Sequence, residues 1–136
     1  MSHENAWKLQ KWAWAAFVVV FLAGCGFGGA AHKPPAKGVD AVVDMGFMTF
    51  EPNTLTIKQG ATVEWRNTSL VTHTVTDDPK KGEKLSALPS GAEAFDSGNL
   101  KAGKIFKHTF TVPGTYKYYC EIHEKHGMTG TVTVSP

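Results

Sequence analysis

Residues 114–134 read GTYKYYCEIHEKHGMTGTVTV, and they contain two strand-like segments on either side of a polar loop. The first segment, 114–120, is rich in Tyr and Thr, which favour β-strands. The second, 130–134, alternates Thr with Val, as expected for a strand with one buried face. The stretch therefore predicts two adjacent strands joined by a loop.

Short β-rich segments and turn residues alternate in the same way through the rest of the chain from residue 39 onward. Further strands are predicted at 41–50, 54–58, 62–67, 73–76, 95–98 and 104–111. Turn residues between the segments include Gln59-Gly60, Ala102-Gly103 and Pro113-Gly114. Residues 77–94 are polar and are expected to form a long surface loop with a helical turn. The prediction is an all-β domain, an antiparallel Greek-key β-sandwich or barrel.

Length and charge limit the possible functions. The chain has 136 residues and a formal net charge of +2, from 14 basic and 12 acidic side chains. This length suits one domain preceded by an N-terminal segment, and we expect a monomer. Nucleic-acid binding usually needs a strongly basic face, which this balance does not support.

The N-terminus has the pattern of an export signal. Lys8 and Lys11 precede an apolar run at 12–23, and the run ends in Leu22-Ala23-Gly24-Cys25. These four residues resemble a bacterial lipobox, which implies cleavage before Cys25 and lipidation of its thiol. Two alternatives stay open: an uncleaved anchor helix, because residues 12–31 carry no charge, and an ordinary cleaved signal.

Each of these three possibilities exports the protein, and we expect a membrane-anchored domain on the periplasmic or extracellular face. Residues 1–24 are then the lipoprotein-type signal peptide or membrane anchor. Residues 25–38, rich in Gly, Ala and Pro, form a lipidated flexible linker that clears the head groups. Residues 39–136 form the folded domain.

The loop in the first quoted stretch brings a thiol, an imidazole and a thioether close together in sequence, as Cys120, His123 and Met128. Blue-copper sites use two imidazoles and a thiolate with a weak axial thioether. His73 can supply the second imidazole, because the alternation of 71–75 points it toward apolar surroundings. A lone inward histidine is more often a core residue than a ligand. The combination of His73 with the loop that carries Cys120, His123 and Met128 is what favours ligation.

Several separate segments resemble the cupredoxins, and specifically the plastocyanin-like type 1 blue copper proteins with a Cys-x2-His-x4-Met loop. The matching pieces are residues 50–52, 62–67, the His73 segment, 114–120 and 128–134. Ile122 departs from the proline often found at its position, and the charged residues 124–126 leave the docking surface open.

The resemblance implies that domain 39–136 is a plastocyanin-like copper-binding domain that holds one copper ion. His73, Cys120 and His123 would be the equatorial ligands, and Met128 the axial ligand. Asn67 and Thr74 are expected to support these ligands by hydrogen bonding. His126 competes with His123 as a ligand, but a surface position is expected for it, and His108 is expected to be a partly buried structural residue.

Such a site favours one-electron transfer between Cu(II) and Cu(I) with redox partner proteins, for example a cytochrome or a membrane oxidoreductase. The alternative is a periplasmic copper carrier or scavenger without a redox partner. We do not expect an enzyme, because multicopper enzymes need further ligands in His-x-His clusters and the chain has none.

Overall fold

The computed structural model describes residues 34–82 and 84–136. The predicted signal, the lipidation site at Cys25 and most of the linker lie outside these residues. The strands are β1 (Ala41–Met45), β2 (Phe50–Glu51), β3 (Thr54–Lys58), β4 (Thr62–Asn67), β5 (Ile105–Thr109), β6 (Gly114–Tyr119) and β7 (Thr129–Ser135). One helical turn, α1 (Pro79–Gly82), follows β4, and a 3-10 helix (Glu121–His126) joins β6 to β7.

The strands form two sheets, with the orders β2-β1-β4-β5 and β3-β7-β6. The all-β prediction is therefore confirmed, but the sheets are mixed rather than antiparallel. β1 runs parallel to β4, with Val43 opposite Trp65, and β3 runs parallel to β7, with Ile57 opposite Val134. The chain crosses to the other sheet at β3 before it returns as β4, and such a crossover is what parallel neighbours require.

Three of the predicted strands differ from the observed structure, and one of them, 95–98, forms only an isolated bridge at Asp96. The segment 41–50 is interrupted by a turn, in which the Gly46 amide donates to the Thr49 carbonyl at 3.0 Å. The segment 73–76 forms isolated bridges instead of a ladder: His73 pairs with Leu100, and Thr76 pairs with both Asp96 and Tyr119. It therefore connects β6 to the loop before β5.

The core lies between the sheets around Trp65, which is fully buried. Its ring packs against Phe95, Phe106 and Phe110 and makes an edge contact with Tyr118, at a centroid distance of 5.4 Å. Large aromatic side chains supply most of the buried apolar area in a domain of this size.

The segment 77–94 contains the expected helical turn, but it does not lie wholly on the surface. Asp77 is fully buried, and its Oδ1 accepts a hydrogen bond from the Phe95 amide at 2.7 Å. Within the described residues, no helix is both long and apolar enough to cross a membrane.

Candidate metal centre

Three buried donors meet at one end of the sandwich. The donor atoms of His73, Cys120 and His123 all lie within 4.8 Å of one another. Cys120 Sγ is 3.8 Å from His73 Nδ1 and 3.4 Å from His123 Nδ1. Two histidines and a cysteine that are all buried at such short range offer three ligands of the type that a soft metal ion prefers.

The His73 side chain reaches this place because two distant segments are joined by backbone hydrogen bonds. The Thr76 amide donates to the Tyr119 carbonyl at 3.1 Å, and the Tyr119 amide returns a bond to Thr76 at 2.9 Å. At the start of the segment 73–76, His73 and Leu100 exchange two backbone hydrogen bonds, of 3.0 and 2.8 Å. The segment is therefore held next to the end of β6, where Cys120 follows.

Met128 completes the donor set from the start of β7. Its side chain is buried, and its carbonyl accepts a hydrogen bond from the Cys120 amide at 3.0 Å. Gly127 ends the 3-10 helix in the left-handed conformation, with φ of 71°, and this lets the chain turn back toward the site. Together, His73, Cys120, His123 and Met128 are positioned as a type 1 copper site.

Thr74 contacts the cysteine sulfur directly. Its backbone amide donates to Cys120 Sγ at 3.3 Å, and its hydroxyl oxygen accepts a hydrogen bond from the Glu121 amide at 2.8 Å. Thr74 therefore links the cysteine sulfur to the first residue of the ligand loop.

Asn67 ties together the two loops that hold His73. Its Nδ2 donates to the Val71 carbonyl at 2.7 Å and to the Leu100 carbonyl at 2.8 Å. Its Oδ1 accepts from the amide of Ser69 at 3.0 Å and from the Ser69 hydroxyl at 2.8 Å. This buried side chain therefore uses both of its hydrogens and its oxygen to shape the site.

Both imidazoles have lowered pKa values. Burial lowers the pKa of His73, and the nearby His123 lowers it further, while a hydrogen bond to the Gly46 carbonyl opposes the shift. Burial also lowers the pKa of His123, with a contribution from His126. These shifts favour the neutral imidazole, which is the form that ligates a metal.

The other two histidines of the described residues lie outside this cluster. His126 is exposed, with its ring centroid 6.3 Å from that of His123. His108 is half buried between Phe95 and Phe110, at centroid distances of 4.6 and 4.8 Å. Both positions agree with the sequence-based expectation.

Two contacts to His73 were not predicted from sequence. The Ser69 hydroxyl lies 2.9 Å from His73 Nε2, and the Gly46 carbonyl accepts a hydrogen bond from the same ring. Serine and glycine are common loop residues, so neither gives a signal at the level of sequence.

Known proteins are similar to this chain in sequence or in fold. A chloroplastic plastocyanin from Oryza sativa subsp. indica is 37% identical over 132 residues, covering 94% of this chain and 79% of that protein. A plastocyanin from Nostoc punctiforme is 38% identical over 94 residues, covering 67% of this chain and 68% of that protein.

Solved structures of an oxidised and a reduced amicyanin mutant are similar to this fold, with TM-scores of 0.59 and 0.60 and identities of 31% and 32%. Each comparison covers 74% of this chain and 86% of the amicyanin. Residues 37–135 match the sequence profile described as copper binding proteins, plastocyanin/azurin family. The chain therefore belongs to the plastocyanin/azurin family of copper binding proteins.

Proposed function

We propose that this protein carries single electrons through one type 1 copper centre. The observation that carries the proposal is the convergence of two imidazoles and one thiol, all buried, within 4.8 Å. Copper is the ion that suits this donor set together with a thioether. In this proposal His73, Cys120 and His123 are the equatorial ligands, and Met128 is the axial ligand.

Bound copper supplies a one-electron couple between Cu(II) and Cu(I). The residues around it supply a rigid frame, because the loops before and after His73 are joined by Asn67 and the Cys120 amide is bonded to Met128. A frame that moves little between oxidation states lowers the cost of electron transfer. The similarity to amicyanins solved in oxidised and reduced states supports this reading.

We propose that electrons enter and leave through His123, at the end of the molecule where partners dock. Its side chain is 8% exposed, whereas His73 is fully buried. Three exposed apolar side chains are neighbours in sequence of residues that form the site: Phe47 after Gly46, Leu70 after Ser69, and Ile122 before His123. Exposed apolar side chains next to such a site suit brief contact with a redox protein.

The partner we propose is a redox protein such as a cytochrome or a membrane oxidoreductase. The near-neutral charge implies modest long-range steering, so docking depends on the contact surface. We propose that the protein is exported and acts as a monomer, with domain 39–136 held at the membrane through lipid on Cys25 and the linker 25–38.

The proposal is tested by absorption and spin-resonance spectra of the purified, copper-loaded protein. We expect an intense blue colour, which Cys120→Ser removes because the thiolate ligand is lost. Cys25→Ala is the matched control: its spectrum should be unchanged, while the protein is released from membranes. A blue Cys120→Ser variant contradicts the ligand assignment, and copper lost to a chelator on reduction favours a carrier. Continued membrane retention of Cys25→Ala favours an anchor helix.

A further inference from the structure

We propose that Ser69 is a positioning residue that selects the tautomer of His73. Its hydroxyl accepts a hydrogen bond from Nε2–H, which leaves the lone pair of Nδ1 directed at the metal. The two distances agree with this arrangement: Ser69 Oγ is 2.9 Å from Nε2, and Cys120 Sγ is 3.8 Å from Nδ1. The inference rests on the copper site proposed above.

The direction of the Ser69 hydrogen bond follows from its other neighbours. Asn67 Nδ2 donates its two hydrogens to the carbonyls of Val71 and Leu100. The Asn67 atom that faces Ser69 is therefore the side-chain oxygen. The Ser69 hydroxyl lies 2.8 Å from that oxygen and 3.3 Å from the Val71 carbonyl, and both groups can only accept. Its single hydrogen is therefore used there.

With this hydrogen directed at Asn67, the hydroxyl oxygen of Ser69 acts as an acceptor toward His73. Nε2 must then carry the proton, and in a neutral imidazole Nδ1 is the unprotonated nitrogen. The Gly46 carbonyl, which also only accepts, is a second partner for the same ring. Removal of the Ser69 hydroxyl therefore weakens the support of His73 without abolishing it.

The hydrogen bond also affects the metal preference. A ligand imidazole whose N–H is hydrogen-bonded is a stronger donor, and partners of this kind typically contribute 10–100-fold to metal affinity. A stronger nitrogen donor favours Cu(II) more than Cu(I). We therefore expect Ser69→Ala to lower the Cu(II) affinity by about tenfold, with a smaller loss for Cu(I), and so to raise the reduction potential.

Two measurements on the purified full-length protein test this. Nitrogen-15 spectra of labelled histidine in the copper-free form report the tautomer of His73, and competition titrations with chelators give the affinities for Cu(II) and Cu(I). Ser69→Thr keeps the hydroxyl and should restore the wild-type values. Ser86→Ala is the matched control, because the Ser86 hydroxyl donates to the Gly82 carbonyl at 2.8 Å and is not part of the site.

A wild-type His73 protonated on Nε2, and a Cu(II)-selective loss in Ser69→Ala, support the proposal. Unchanged affinities, an equal loss for both ions, or a proton on Nδ1 overturn it. If Ser69→Ala does not fold, Ser69→Cys, a weaker acceptor of similar size, is measured instead. It should likewise lower the affinity for Cu(II) more than the affinity for Cu(I). Absence of copper binding by the wild-type protein contradicts the proposed function. The nitrogen-15 spectra of the copper-free protein still test the hydrogen bond between Ser69 and His73 in that case.

Discussion

The four donor residues are held in different ways. His73 has partners on its ring and on its backbone amide and carbonyl, and Cys120 receives a hydrogen bond on its sulfur from Thr74. Met128 is positioned by its backbone bond to Cys120 and by its burial. A thioether is also the weakest donor of the set, so its replacement should alter the potential more than the fold.

Met128→Leu is expected to keep the blue colour and to raise the reduction potential, because a donor that favours Cu(II) has been lost. We expect a rise of about 60 mV or more, which corresponds to a tenfold change in the ratio of Cu(I) to Cu(II) affinity. Voltammetry measures this directly. Met45→Leu, a change at a fully buried core methionine, is the control, and an equal potential in wild type and Met128→Leu argues against the axial role.

At the scale of elements, the ligand loops depend on the strands and on side-chain bridges between loops. Lys81 of α1 forms ion pairs with Asp96 and with Glu121, the first residue after Cys120. These pairs connect the helical turn, the loop before β5 and the 3-10 helix. Close packing of β6 against β7 holds the two ends of the ligand loop.

Gly130→Ala tests that packing. In β7, Gly130 faces Tyr118 of β6, and a Cβ at this position would lie 2.2 Å from the Tyr118 ring. We expect the free energy of unfolding to fall by about 1–3 kcal/mol, or more, because the ring is buried and has little room to move. Urea titration measures the loss. In a Tyr118→Leu background the added cost should be smaller, and strictly additive costs would contradict the proposed clash.

At the scale of the whole molecule, one buried carboxyl makes stability depend on pH. Burial raises the pKa of Asp77 to about 6, and the nearby Asp78 adds to the rise, while the hydrogen bond from the Phe95 amide opposes it. Between its ordinary pKa and this value, the folded state binds the Asp77 proton more strongly than the unfolded state does. The contribution of Asp77 to stability therefore falls as pH rises from about 4 to 6.

Asp77→Asn should remove this decline. Relative to the variant, the wild type should lose about 2–3 kcal/mol of unfolding free energy between pH 4 and pH 7, since one pKa unit corresponds to about 1.4 kcal/mol. Denaturant titrations at several pH values give the difference. Glu93→Gln, at an exposed carboxylate of the same segment, is the control, and parallel pH profiles for wild type and Asp77→Asn would show that Asp77 is not the cause.

Much of the fold class and of the donor set could be predicted from local patterns. β-rich segments bounded by turn residues predicted β3 and β4 with their observed bounds, because strand-forming residues and turn residues are local features of the sequence. The spacing of Cys120, His123 and Met128 within one loop likewise indicated copper, because ligands on a single short loop need no knowledge of the tertiary fold.

The sequence by itself therefore determined an all-β domain and the chemical class of its metal site. Only the tertiary structure decided the parallel pairings, the burial of Asp77, and the approach of His73 to Cys120 through the bridge between Thr76 and Tyr119. It alone also revealed Ser69 as the partner of His73. The reason is physical: each of these features depends on which loops and strands meet in space, and local alternation carries no information about such pairings.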